Sequence, residues 1–315
     1  MKALVTGAAG FIGSHLVATL LDRGATVVGV DSFTDYYARA IKERNIEESR
    51  LREGFRFAET AIQTADLPPL LDGVTHVFHL AAQAGVRKSW GRDFQTYTVN
   101  NVDATQKLLE ACVGRRIERF VHASSSSVYG DRVAIPMRED ALPQPVSPYG
   151  VTKMAAEQLG YLYHVNHGLP VVAMRYFTVY GPRQRPDMAF HRFIRAALRN
   201  EPITLYGDGG QTRDFTFVSD AVAATIAAAE RGVNGRSYNI GGGARVSMND
   251  VIRLVEGVAG HPLKITREDA QKGDMRDTYA DTTLARQDLG FQPTVGLEDG
   301  IRAEYRWLSS TAVPA

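Results

Sequence analysis

The 315-residue chain has one cysteine, two tryptophans and no apolar run approaching the ~20 residues that a membrane-spanning helix needs. A single cysteine, Cys112, excludes an internal disulfide and suits a reducing compartment. It lies in the apolar stretch KLLEACV, where buried filler is the expected role. Net charge is +1, from 36 basic and 35 acidic residues, so no basic field exists to hold nucleic acid or an anionic membrane. The eight histidines show no ligand spacing, and no metal is expected. The chain enters directly as Met1-Lys2-Ala3-Leu4-Val5-Thr6 with no leader-like segment, which makes the cytoplasm the expected location.

What is present is a rhythm. KALVT (2–6), TVVGVD (26–31), FRFA (55–58), HVFHLAA (76–82), RFVHA (119–123) and LPVVAMRY (169–176) read as buried strands. Helical stretches at 12–24, 37–52, 105–112 and 151–167 separate them. Strands alternating with helices predict βαβ units and an α/β fold with a doubly wound parallel sheet, the Rossmann arrangement. After about residue 176, Pro and Gly punctuate the chain, and amphipathic helices are expected at 190–199 and 248–258. The expected division is a dinucleotide-binding domain of 1–175 plus about 214–242, and a smaller α/β substrate lobe of 176–213 and 243–315. The terminal TAVPA is expected to fray.

Gly7-Ala8-Ala9-Gly10-Phe11-Ile12-Gly13 falls between the first strand and the first helix, where glycines allow a tight turn and a helix N-terminus meets a pyrophosphate. Strand two ends in Asp31, suited to a ribose diol; Ser32 follows with no adjacent Arg, which favours NAD over its 2′-phosphorylated form. Tyr149 and Lys153, four residues apart on one helix, share a face. A cationic Lys153 lowers the phenol's pKa, so that Tyr149 can act as a base near neutral pH.

The GxxGxxG spacing, YGVTK (149–153), HLAAQAGVR (79–87), the Asn101 segment, RYFTVYGP (175–182) and GDGGQTRDFTFVSD (207–220) resemble the extended short-chain dehydrogenase/reductase family. Within it the chain is most similar to nucleotide-sugar 4-epimerases, closest to those acting on UDP-glucuronate. The resemblance implies a UDP-sugar substrate, tightly held NAD and a homodimer joined through the helices at 108–112 and 149–162. It makes Ser125, Tyr149 and Lys153 catalytic. It places Gly7, Gly10, Phe11, Ile12, Gly13, Asp31, Ile62, Leu80, Ala81, Ala82, Asn101 and Tyr176 at the cofactor, and Arg213 and Arg276 at the substrate pyrophosphate with Arg87 nearby. One departure stands out: the family carries Asp before Ile in the third-strand segment to meet the adenine amino group, whereas Ala61 precedes Ile62 here.

The stretch SSSSVYG (124–130) bears on the reaction. In the resembled dehydratases the two residues after the catalytic hydroxyl are Asp-Glu, and in the decarboxylases the second is Glu. Here they are Ser126 and Ser127, too weakly acidic for proton transfer at neutral pH but able to donate hydrogen bonds to an anionic group. Thr178 replaces the Asn of neutral-sugar epimerases, and Arg185 belongs to a motif of the UDP-glucuronate enzymes, where it can clamp a carboxylate. An ion pair with Asp187 is its alternative role. The rival readings are a UDP-glucose/UDP-galactose 4-epimerase, a dehydratase or decarboxylase with an unlocated acid, and a non-catalytic NAD sensor.

Overall fold

The computed structural model describes residues 1–269 and 273–311, so 312–315 of the expected tail lie outside the described residues. Strands and helices alternate as β1 (Lys2–Thr6), α1 (Phe11–Asp22), β2 (Thr26–Asp31), α2 (Arg39–Arg50), β3 (Phe55–Glu59) and β4 (His76–His79). A short α3 (Phe94–Tyr97) runs through a π-helical turn (Thr98–Asp103) into α4 (Ala104–Cys112), followed by β5 (Arg119–Ser125), α5 (Pro148–His167) and β6 (Val171–Tyr176). Next come β7 (Thr178–Tyr180), α6 (Ala189–Arg199), β8 (Pro202–Tyr206), β9 (Thr212–Phe217) and α7 (Val218–Arg231). The chain ends with β10 (Ser237–Ile240), β11 (Arg245–Ser247), α8 (Met248–Ala259), β12 (Lys264–Glu268), α9 (Thr283–Leu289) and α10 (Leu297–Ser310).

Seven of these strands form one parallel sheet in the order β10-β6-β5-β4-β1-β2-β3. Both faces are covered, as continuous Val/Leu/Phe runs require. One core joins α1, α7 and α9 through Leu16, Leu20, Ala221 and Leu289; the other joins α4 and α5 through Leu108, Leu109 and Tyr163. Cys112 is buried in that second core and burial pushes its thiol up to about 12, consistent with inert filler. The strand order reverses between β1 and β4, and a crevice opens there at the carboxyl edge.

Among the boundaries that differ from expectation, three have local reasons. β4 ends at His79, because Leu80 and Ala81 turn back onto Thr6, whose carbonyl and hydroxyl oxygens accept their N–H groups. β5 runs two residues further, to Ser125. α5 begins at Pro148, with the Ser147 hydroxyl accepting from the Gly150 N–H at 3.1 Å. That Ser-Pro pair is an N-cap followed by a first-turn proline.

The second lobe has a three-stranded sheet, β11-β9-β7, and the parallel pair β12-β8. Its core packs α6, α8 and α10 through Phe190, Phe193, Val251, Val255 and Ile301. Tyr180 stacks on Phe190 at 4.9 Å, and Phe215 meets Phe190 edge-on at 4.8 Å. Two elements cross the expected division. β9 belongs to the small sheet, and α9 packs through Ala285 and Leu289 onto the core of the large one.

Candidate active site

A cavity of about 980 Å³ lies at the carboxyl edge of the large sheet and is lined on its other side by residues of the second lobe. Its cofactor end starts at the turn after β1. Gly7 sits at φ +70°, and a Cβ on Gly13 would lie 2.0 Å from the Gly7 carbonyl oxygen, so only glycine lets α1 close on that turn. Gly7, Gly10, Phe11, Ile12 and Gly13 line the cavity around the α1 N-terminus, a cradle whose N–H groups and dipole suit a pyrophosphate. Asp31 accepts from the N–H groups of Ala9 at 3.1 Å and Phe33 at 2.9 Å, one on each oxygen. Its remaining lone pairs suit the two hydroxyls of a ribose. Leu80, Ala81, Ala82, Ile62 and Tyr176 line the same end.

Ala61 also lines this wall, beside Gln63. The Gln63 side-chain N–H group donates to the Val99 carbonyl at 3.1 Å and to Asn100 Oδ1 at 2.7 Å, which leaves its Oε1 available to accept an adenine amino proton. Asn101 is placed differently from expectation. It is buried behind the wall, where its amide bonds both the N–H and the carbonyl of Gln83 and donates to Thr152 Oγ1, and its neighbour Asn100 lines the cavity instead. Asn101 therefore ties the loop after β4 to α5 and does not itself line the cofactor space.

β5 and α5 deliver the reacting groups. Ser125 caps the turn Ser126–Val128, its Oγ accepting from the Ser127 N–H at 3.1 Å. A Cβ on Gly150 would meet the Ser127 carbonyl at 2.4 Å, so this glycine lets the serine turn rest against the first turn of α5. Tyr149 sits in that first turn, its ring edge-on to Tyr97 at 6.2 Å, and lines the cavity with Ser125 and Lys153. The electrostatics differ from the expectation that Lys153 depresses the phenol. Burial is the largest influence and holds Tyr149 above its ordinary pKa; a hydrogen bond with Ser125 and the charge of Arg185 pull it back down. Lys153 is itself lowered by burial to about 8, with Glu157 opposing, and its Nζ donates to the Ala123 carbonyl.

At the other end Ser126, Ser127, Thr178 and Arg185 line the cavity together. Arg185 forks onto Asp187, with Nε and Nη2 each donating at 3.0 Å. The Tyr36 hydroxyl donates to the same carboxylate at 3.3 Å. The anticipated alternative pairing of Arg185 is thus present, and it is made on the cavity wall. Arg87, Arg213 and Arg276 line the outer end: Arg87 lies 4.2 Å over the Tyr206 ring and pairs with Asp274, Arg213 donates to the carbonyls of Thr212 and Arg276, and Arg276 faces Asp208 at 3.4 Å. Arg192 of α6 joins them and was not anticipated; its signal was its place in an amphipathic helix between the buried Phe190 and Phe193.

Among the described residues the acids lining this cavity are Asp31, Asp187, Asp208 and Asp274. Each is engaged, with backbone N–H groups, with Arg185, with Gly210 N–H and Arg276, and with Arg87 respectively. No three His, Cys, Asp or Glu residues are grouped to hold a metal among the described residues, and no described helix is long and apolar enough to cross a membrane.

Known proteins resemble the chain along nearly its full length. It is 45% identical over 312 residues to an uncharacterised UDP-glucose epimerase, YtcB, of Bacillus subtilis, covering 98% of each chain. It is 37% identical over 309 residues to a UDP-glucuronate 4-epimerase of Thermodesulfobacterium geofontis, covering 96% of this chain and 95% of that one. A UDP-glucuronic acid 4-epimerase of Bacillus cereus, solved with UDP-glucuronic acid and NAD, superimposes with a TM-score of 0.96 at 46% identity, covering 98% of this chain and 99% of the other. The NAD dependent epimerase/dehydratase description matches residues 3–241, and the chain belongs to that family.

Proposed function

We propose that the protein interconverts UDP-glucuronate and UDP-galacturonate by oxidation and return at C4, with NAD resident in the α1 cradle. The carrying observation is that Ser125, Tyr149 and Lys153 share one cavity with Ser126, Ser127, Thr178 and Arg185, while every acid lining it is already engaged. NAD, when bound, supplies the hydride acceptor and donor for the sugar carbon. Tyr149 takes the C4 hydroxyl proton and, once the bound 4-keto sugar has turned its other face to the cofactor, returns it to the C4 oxygen; Ser125 hydrogen-bonds that oxygen, and Lys153 supplies positive charge beside the phenolate. The serines, Thr178 and Arg185 hold the C5 carboxylate, and with no free acid beside C5 the 4-keto sugar is returned without elimination. Arg87, Arg192, Arg213 and Arg276 take the UDP phosphates.

The second reading is a UDP-glucose/UDP-galactose 4-epimerase, favoured by the relative of that description in B. subtilis. Incubating the purified protein with UDP-glucuronate, UDP-glucose and UDP-N-acetylglucosamine and resolving products by NMR separates them. The expected result is a C4 epimer from UDP-glucuronate with no 4-keto pentose or CO2; its absence would overturn the reading.

The proposed functional division is a cofactor domain (1–175 with about 214–242) and a substrate lobe (176–213 and 243–315), with β9 serving the lobe's sheet and α9 the core of the cofactor domain; the single cysteine supports a cytoplasmic setting. Exposed Val151, Tyr161, Leu162 and Val165 on α5 support a homodimer through that helix. Light scattering is expected to give twice the 34.5 kDa chain mass, and Leu162→Asp to halve it. A monomeric parent protein would rule the dimer out.

A further inference from the structure

Ser124, the first serine of the run, has no part in the chemistry above, yet it makes one of the shortest contacts behind the site. Its Oγ donates to Glu157 Oε2 at 2.5 Å. Glu157 is buried on α5 one turn after Lys153, and it also accepts from Arg175 Nη2 at 2.6 Å and Ser237 Oγ at 3.0 Å. Arg175, equally buried on β6, reaches past the carboxylate. Its Nη1 donates to the Tyr129 hydroxyl at 2.8 Å, and its guanidinium lies 4.9 Å over that ring. Tyr129 in turn donates to Asn239 Oδ1 on β10 at 2.7 Å.

Ser124 and Tyr129 are the residues flanking Ser125–Val128. One ion pair therefore grips both ends of the serine turn and anchors it to the helix that carries Tyr149 and Lys153. The same carboxylate stands one helical turn from Lys153 on α5. The titratable neighbours from the other elements packed on Lys153 are His79 of β4 and His122 of β5; burial and then the charge of Lys153 push His79 down to about 3 and His122 well below its ordinary range, so both are neutral. Glu157 is thus the acid that opposes the burial of Lys153 among the described residues.

We propose that Glu157, paired with Arg175, is a positioning residue that sets the serine turn against the catalytic helix and places a negative charge one helical turn from Lys153. This rests on the epimerase reading. Two variants separate the two parts of the role. Ser124→Ala removes one tether and no charge: kcat with UDP-glucuronate is expected to fall about tenfold, with KM and NAD content unchanged and the shape of the pH profile retained. Glu157→Gln removes the charge. Lys153 is active as the cation and is lost as pH rises through its pKa; without Glu157 that pKa drops, so the basic limb of the kcat profile is expected to move about one unit toward lower pH. A part that merely stabilises the fold would lower kcat and leave the limb in place.

Should Glu157→Gln strand Arg175 and fail to fold, the pair Glu157→Gln/Arg175→Met strands no charge; because a cation is removed with the anion, the basic limb is expected to move in the same direction by a smaller step. An unmoved basic limb in a folded variant, or Ser124→Ala within twofold of the parent kcat, overturns the proposal. Failure of the unsubstituted holoenzyme to epimerise UDP-glucuronate overturns the epimerase reading instead, so the two failures are distinguishable.

Discussion

Tyr149→Phe is expected to lower kcat for C4 epimerisation by about 10³-fold, within the range that loss of a positioned proton acceptor produces, equivalent to about 4 kcal/mol of barrier. The variant keeps the ring and its edge-on contact with Tyr97, and it keeps the Gly150 approach to the serine turn, so the cavity wall survives. Only the hydroxyl is lost, on the cavity wall that it shares with Ser125. NAD content, read from the absorbance released on denaturation, is therefore expected to match the parent, as is KM for UDP-glucuronate within a few-fold. Product formation followed by NMR checks it. Residual turnover within tenfold of the parent would assign the proton transfer to another group.

The phenol's environment gives this prediction its size. Burial holds Tyr149 above its ordinary pKa, so as a free group it would be a poor base at neutral pH. Lys153, which at about 8 is protonated at and below neutral pH, supplies charge on the same helix face. Neither fact was legible from the YxxxK spacing alone. Spacing fixed which side chains share a face; the burial that sets their pKa values comes from β5, α3 and the loop after β4, which are distant in sequence.

Other parts of the site divide along the same line. Gly13 was readable because a tight helix-to-turn contact admits one residue type, and the turn was local. Asp31 was readable because β2 must end beside the glycine turn in a parallel βαβ unit. Asn101 was expected at the cofactor; it bonds Gln83 and Thr152 behind the wall, while its neighbour Asn100 in the same π-helical turn, Thr98–Asp103, lines the cavity, and such a turn breaks the regular 3.6-residue phase from which facing is read. Second-lobe strands were read least well. β7 and β11 have three residues each, and β12 is exposed throughout, so neither length nor alternation marks them. The Ser124–Glu157–Arg175 link joins β5, α5 and β6, and nothing local announces it.

Arg185→Ala tests which substrate the cavity is built for. With UDP-glucuronate, kcat/KM is expected to fall about 10²- to 10³-fold, as befits losing a charge-assisted contact with a carboxylate through the guanidinium edge that Asp187 leaves free. With UDP-glucose the change is expected to stay within about tenfold, since a hydroxymethyl group offers no charge to clamp and only the pull of Arg185 on the Tyr149 phenol is lost. Asp187 adds to the first effect. Burial raises its pKa, but the charge and hydrogen bonds of Arg185 outweigh burial and hold it below the ordinary range. Without Arg185 that carboxylate remains on the cavity wall, held by Tyr36 alone, and repels the carboxylate of the substrate. Arg185→Ala/Asp187→Asn removes the repulsion as well as the clamp, so it is expected to recover about tenfold of the lost UDP-glucuronate activity while leaving UDP-glucose unchanged. If instead both sugars lose activity equally, Arg185 acts on the fold or on the common nucleotide, and the selectivity for an acidic sugar must lie with Ser126, Ser127 and Thr178.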